Sequence, residues 1–158
     1  MPMAFKALVN TKMQKTFNFD IKKLNLEQAG CVSSTLKREL TMAGVDKKLI
    51  RRIAIATYEA EINMVFHSWG GTCHVQVDDD KIIIRFRDKG PGIANLQKAM
   101  MEGYSTASDI ARENGFGAGM GLPNIQNACD ELYIQTNNDG TDVLMKFVVN
   151  GGNSHASI

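Results

Sequence analysis

Two periods of hydrophobic and polar residues divide this chain of 158 residues. Period-two alternation marks strands. It runs through "TFNFDI" (16–21), "CHVQV" (73–77) and "KIIIRFR" (81–87). In the last of these, Ile82, Ile84 and Phe86 share one face, while Lys81, Arg85 and Arg87 share the other. "LYIQT" (132–136) and "DVLMKFVV" (142–149) form a further pair around "NNDG", whose Asp-Gly is a hairpin turn signal. Helical spacing governs the rest. Leu26, Ala29, Val32, Leu36, Leu40 and Ala43 predict a helix over 26–43 that Gly44 can end. Asp46 is the expected N-cap of a second helix reaching about Ser68. A short helix is expected over Leu96–Glu102, and another from Pro123 to about Asp130, with Pro123 at its first position.

Helices come first, followed by strands with helices between them. One wet strand face argues for a sheet covered on one side only. The expected fold class is therefore α/β (α+β): a two-layer sandwich whose mixed, mostly antiparallel sheet carries helices on one face. Neither a repeat nor a linker divides the chain, so 1–150 is expected as one domain, with a flexible tail at 151–158.

Composition narrows the function classes. Hydrophobic residues make up 44% and charged residues 22%, as in ordinary globular domains. Eighteen basic and seventeen acidic residues leave a net charge of +1, which makes no electrostatic case for nucleic acid or an anionic membrane as partner. Cys31, Cys73 and Cys129 stand far apart without a CxxC pair. That usage, with no apolar run near 18 residues and no signal-peptide core, gives a cytoplasmic expectation.

Three stretches carry candidate chemistry. "GFGAGMGLPN" (115–124) places Gly115, Gly117, Gly119 and Gly121 two apart and opens onto a helix N-terminus. Free N–H groups and the positive dipole end attract phosphate there, and glycines allow close backbone approach. Its spacing is not that of a P-loop, and it does not follow a strand in a Rossmann unit. The bland alternative is a flexible loop. "DKGPGI" (88–93) puts Asp88 at a strand end, with Gly90 and Gly92 bracketing Pro91. A carboxylate there can accept a hydrogen bond from an exocyclic amine such as that of adenine, although Asp, Gly and Pro also make plain turns. "YEAEIN" sets Glu59 and Asn63 four apart on one helix face, either as a polar stripe or as oxygen donors of the kind magnesium prefers. Glu61 projects to the opposite side and is expected to be solvated.

Taken in this order, the three stretches resemble the GHKL, or Bergerat-fold, ATPase superfamily: ExxxN (Glu59–Asn63), then DxGxG (Asp88, Gly90, Gly92), then the glycine box at 115–121 and Gly140–Thr141 before the last strand. The likeness spans about residues 20–149. Within the superfamily the chain is most similar to the anti-sigma-factor serine kinases and related switch kinases. "GYSTASD" running into "GAGMGLPNI" looks like their lid and second glycine box, and "NMVFHSWGG" like their Asn-x-x-x-His continuation. His67 matches by position but is given no catalytic role.

The resemblance implies Glu59 as general base and Arg112 as the arginine near the γ-phosphate. It implies Asn63 as magnesium ligand, Asp88 as reader of adenine and Thr141 nearby. Gly90, Gly92, Ile93, Tyr104, Ser105, Thr106, Gly115, Gly117, Gly119, Met120, Gly121 and Leu122 complete the implied nucleotide contacts. Residues 103–119 are expected to be a nucleotide-ordered lid. ATP and Mg²⁺ are the implied cofactors. The implied partners are ATP or ADP and a protein, either a sigma factor or an antagonist-type protein, with a homodimer admitted and neither nucleic acid nor membrane expected. With about 45 residues before the Glu59 helix, a sensor with a phospho-accepting hairpin is not expected. Two function classes stay open at this point. One is a kinase transferring the γ-phosphoryl group to a protein serine or threonine, and the other is a nucleotide-gated binding module with little or no turnover.

Overall fold

The computed structural model describes residues 14–101 and 121–149. The elements in chain order are β1 (Gln14–Ile21), α1 (Cys31–Met42), α2 (Lys47–His67), β2 (Gly71–Asp78) and β3 (Lys81–Asp88), then α3 (Leu96–Ala99), α4 (Gly121–Ala128), β4 (Glu131–Asn137) and β5 (Gly140–Val148). The strands form one sheet in the order β1-β2-β3-β5-β4, and all four ladders are antiparallel.

Alternation fixes which sheet face is buried. Cys73, Val75 and Val77 of β2 stand opposite Phe86, Ile84 and Ile82 of β3, which stand opposite Val143, Met145 and Phe147 of β5. These nine side chains lie in the core under the helices. The other face is polar: Arg85 Nε donates to Asp142 Oδ1 at 2.9 Å, and Arg87 Nε lies 3.3 Å from Asp142 Oδ2. The two-layer sandwich read from the alternation is the observed architecture.

Helix α2 is the central rod of the helical layer. Asp46 caps it, its carboxylate accepting from Lys48 N (3.0 Å) and Leu49 N (3.2 Å), as expected for an acidic N-cap. The helix packs against α1 on one side, α4 on the other, and the sheet beneath. It stops where Ser68 turns extended, with Ser68 Oγ donating to Met64 O at 2.6 Å and accepting from Gly70 N at 3.0 Å.

Four boundaries differ from those predicted, and one of them is α4, which runs Gly121–Ala128 with Pro123 third rather than first. Helix α1 begins at Cys31 rather than Leu26, because Gly30 before it adopts a left-handed conformation (φ 92°) and residues 26–30 form turns. Helix α3 ends at Ala99, short of Glu102. In the last hairpin Asn137 pairs with Gly140, so Asn138 and Asp139 are the loop and Gly140 opens β5. The tail at 151–158 lies outside the described residues.

Candidate functional site

Helix α2 presents Glu59 and Asn63 on one half-buried face, and α4 comes up against it. Gly121, the last glycine of the "GFGAGMG" run, lies directly on that pair. A Cβ built on it would stand 3.2 Å from both amide atoms of Asn63 and 3.5 Å from Glu59 Oε2. Asn124, one turn along α4, donates from Nδ2 to Glu59 Oε1 at 3.3 Å. Two of the three predicted stretches thus meet here, a carboxylate and an amide facing a helix N-terminal turn. The side chain of Leu122 is buried in the core.

The third stretch closes onto the β4–β5 hairpin. Asp88 ends β3, and its Oδ1 accepts the backbone N–H of Thr141 at 2.9 Å. Burial pushes the Asp88 carboxyl above its ordinary range, partly offset by the Thr141 N–H. Gly140 fits against Asp88 so closely that a Cβ would overlap the Asp88 carbonyl oxygen. Gly92 carries φ 75°, and a Cβ there would overlap the Asn137 carbonyl oxygen. Only glycine combines that dihedral with that approach. Gly90 N donates to Asp139 O at 3.2 Å, and Ile93 N donates to Thr136 Oγ1 at 2.7 Å. Thr136 Oγ1 lies 2.9 Å from Thr141 Oγ1.

The two clusters share α2. Trp69 N donates to Lys89 O at 2.7 Å and Lys89 N to Gly70 O at 3.0 Å, so the loop after Asp88 is tied to the end of the helix that carries Glu59 and Asn63. Ser68 is five residues beyond Asn63, which is roughly 7–8 Å of helix rise. One end of the site offers a carboxylate acceptor beside a hydroxyl. The other offers a carboxylate, an amide and a helix N-terminal turn.

Glu61 departs from expectation. It is 3% exposed and accepts Val32 N at 3.2 Å from Oε1, capping α1, which lacks a side-chain cap of its own. Glu61 is buried rather than solvated because α1 packs against that side of α2, while α4 packs against the Glu59 side. Burial pushes the Glu61 carboxyl up to about 7, against the lowering effect of backbone N–H groups at the start of α1.

Tyr104, Ser105, Thr106, Arg112, Gly115, Gly117, Gly119 and Met120, with the lid at 103–119, lie outside the described residues. The sequence reading missed Thr136, Asn124 and Arg52. Thr136 is set opposite Thr141 by the two-residue loop at Asn138–Asp139, a register that the Asp-Gly signal does not give. Arg52 ties α2 to the far end of α4, donating from Nε to Ala128 O (2.8 Å) and from Nη2 to Asp130 Oδ1 (3.0 Å).

Comparison with known proteins defines the class. The family model of the histidine kinase-like ATPase domain matches residues 23–147. The chain belongs to that family, and it is an ATP-using domain by membership. An anti-sigma F factor of Clostridium acetobutylicum is 29% identical over 100 residues, covering 60% of this chain and 66% of that protein. The serine/threonine-protein kinase RsbT of Bacillus subtilis is 28% identical over 111 residues, covering 67% of this chain and 75% of that protein. The chain thus spans about two thirds of the first relative's length. In fold, it is similar to a crystal structure of the RsbU and RsbW domains of a Mycobacterium tuberculosis protein (TM-score 0.58, 17% identity), over 84% of this chain and 32% of that one. The resemblance drawn from the ExxxN, DxGxG and glycine-box residues is borne out. No described helix is long and apolar enough to cross a membrane.

Proposed function

We propose that this protein is an ATP-dependent protein serine/threonine kinase acting on a regulatory partner of the sigma-factor or antagonist type. The observation that carries the proposal is the seating of Gly121 on Glu59 and Asn63, within a chain similar to anti-sigma F factors and to a serine/threonine kinase. A bulkier residue at 121 would crowd those two side chains.

In this reading Asp88 accepts the adenine amine, and the N-terminal turn of α4 faces the phosphates. The donor set fits magnesium, a hard cation that takes one or two protein oxygens with phosphate and water, and Asn63 Oδ1 would be its protein ligand. Bound there, the ion neutralises phosphate charge. Glu59 takes the proton of the substrate hydroxyl as that oxygen bonds to the γ-phosphorus. The bond from the γ-phosphorus to its bridging oxygen breaks, and ADP leaves with that electron pair. Asn124 holds Glu59 Oε1 by hydrogen bond, which leaves Oε2 as the oxygen nearer Gly121. Arg112 is the proposed γ-phosphate arginine.

Incubation with γ-labelled ATP and a lysate of the native host tests the proposal. Acid-stable label on a serine or threonine of one protein, absent with the Glu59→Ala variant, is the expected result. ATP binding without any transferred label would favour the nucleotide-gated binding module instead.

A further inference from the structure

We infer that Thr136 is a specificity-determining residue, acting through Thr141 by fixing which way the Thr141 hydroxyl points. The inference rests on the reading of the Asp88 end as the base-recognition end.

Three bonds carry it. Ile93 N donates to Thr136 Oγ1 at 2.7 Å, Thr136 Oγ1 lies 2.9 Å from Thr141 Oγ1, and Thr141 N donates to Asp88 Oδ1 at 2.9 Å. A hydroxyl has one hydrogen to give and two lone pairs to receive with. Accepting an N–H polarises the Thr136 hydroxyl and makes it the better donor of the two threonines. Its hydrogen therefore goes to Thr141 Oγ1. Thr141 then holds its own hydrogen free to donate, while its backbone N–H is already spent on Asp88.

The consequence is a fixed polarity. Asp88 presents an acceptor and Thr141, 8% exposed, presents a donor next to it. Adenine shows an amino donor beside a ring-nitrogen acceptor and matches that pair. Guanine shows a carbonyl oxygen beside a ring N–H and opposes it at both points. Without the Thr136 hydroxyl, Thr141 could turn either way, and half of the code would be lost. Position matters as much as chemistry: the hairpin register sets Thr136 directly opposite Thr141.

Calorimetry with magnesium and ATP, GTP or 1-deaza-ATP, whose ring nitrogen is replaced by C–H, tests this on the full chain. Wild type should bind 1-deaza-ATP about tenfold more weakly than ATP. Thr136→Val should weaken ATP binding about tenfold and leave 1-deaza-ATP within twofold, and Thr136→Ser should restore ATP affinity. In a Thr141→Val background, Thr136→Val should change ATP affinity by less than twofold. Equal binding of ATP and 1-deaza-ATP by wild type overturns the inference whether or not any variant folds. So does an equal loss for both nucleotides in Thr136→Val, which would mark a packing role. Wild type that binds ATP and GTP equally fails the base-recognition reading itself, and the inference with it.

Discussion

Gly121 rests on Asn63. A single methyl group added to the glycine would come within 3.2 Å of both atoms of the Asn63 amide. The contact joins the glycine run to helix α2, two stretches more than fifty residues apart in sequence that propensity alone gives no reason to unite.

Gly121→Ala should push the Asn63 side chain off its rotamer, which costs on the order of 0.5–1.5 kcal/mol. Mg·ATP affinity should fall roughly three- to tenfold. The fold should not suffer, because alanine favours a helix over glycine by roughly 0.5–1 kcal/mol. A melting curve at or above that of wild type, together with weaker calorimetric binding, is the expected pair of results. Unchanged affinity would separate Gly121 from the nucleotide.

Glu59→Ala should leave ATP binding within a few-fold of wild type and reduce phosphoryl transfer by roughly 10²–10⁴-fold, the usual contribution of a general base. Single-turnover transfer to the labelled partner measures it. A variant that transfers at the wild-type rate removes Glu59 from the chemistry.

Much of the fold was legible because its causes are local. Alternation of Ile82, Ile84 and Phe86 against Lys81, Arg85 and Arg87 states which strand face is buried, and Asp46 announces a helix start through its own hydrogen bonds. What stayed hidden depends on partners distant in sequence. Helix α1 starts at Cys31 because Gly30 turns left-handed and Glu61, about thirty residues on, accepts Val32 N. A helical wheel puts Glu61 opposite Glu59 and Asn63, but nothing in the wheel says that α2 is covered from both sides. At the site, Glu59, Asn63 and Asp88 could be named from their motifs. Asn124 and Thr136 could not, since their partners are set by helix packing and by hairpin register.

Glu61 gives the fold a pH dependence of predictable sign. Its carboxyl rises from an ordinary 4.5 to about 7 in the folded chain, so the folded state binds the proton more tightly than the unfolded state. The resulting stabilisation is complete below about pH 4.5 and is lost as pH rises through about 7. Glu61→Gln keeps a carbonyl acceptor for Val32 N but cannot ionise. Relative to that variant, wild type should lose about 1–3 kcal/mol of stability between pH 5 and pH 8, within the limit set by a shift of this size. Denaturant melts of both proteins across that range provide the check. Parallel pH profiles would mean that Glu61 does not titrate in this window.

Asp88 is the residue on which base recognition turns. Its Oδ1 is held by Thr141 N, and its carboxylate is an acceptor with no hydrogen to give. Calorimetry of ATP and GTP, with magnesium, against wild type and Asp88→Asn measures what that acceptor reads. Wild type should bind ATP at least tenfold more tightly than GTP. Asp88→Asn should lose ATP affinity by about 1–3 kcal/mol, the cost of leaving a buried polar partner unsatisfied. Equal binding of the two nucleotides by wild type, or full ATP affinity in Asp88→Asn, would contradict the account.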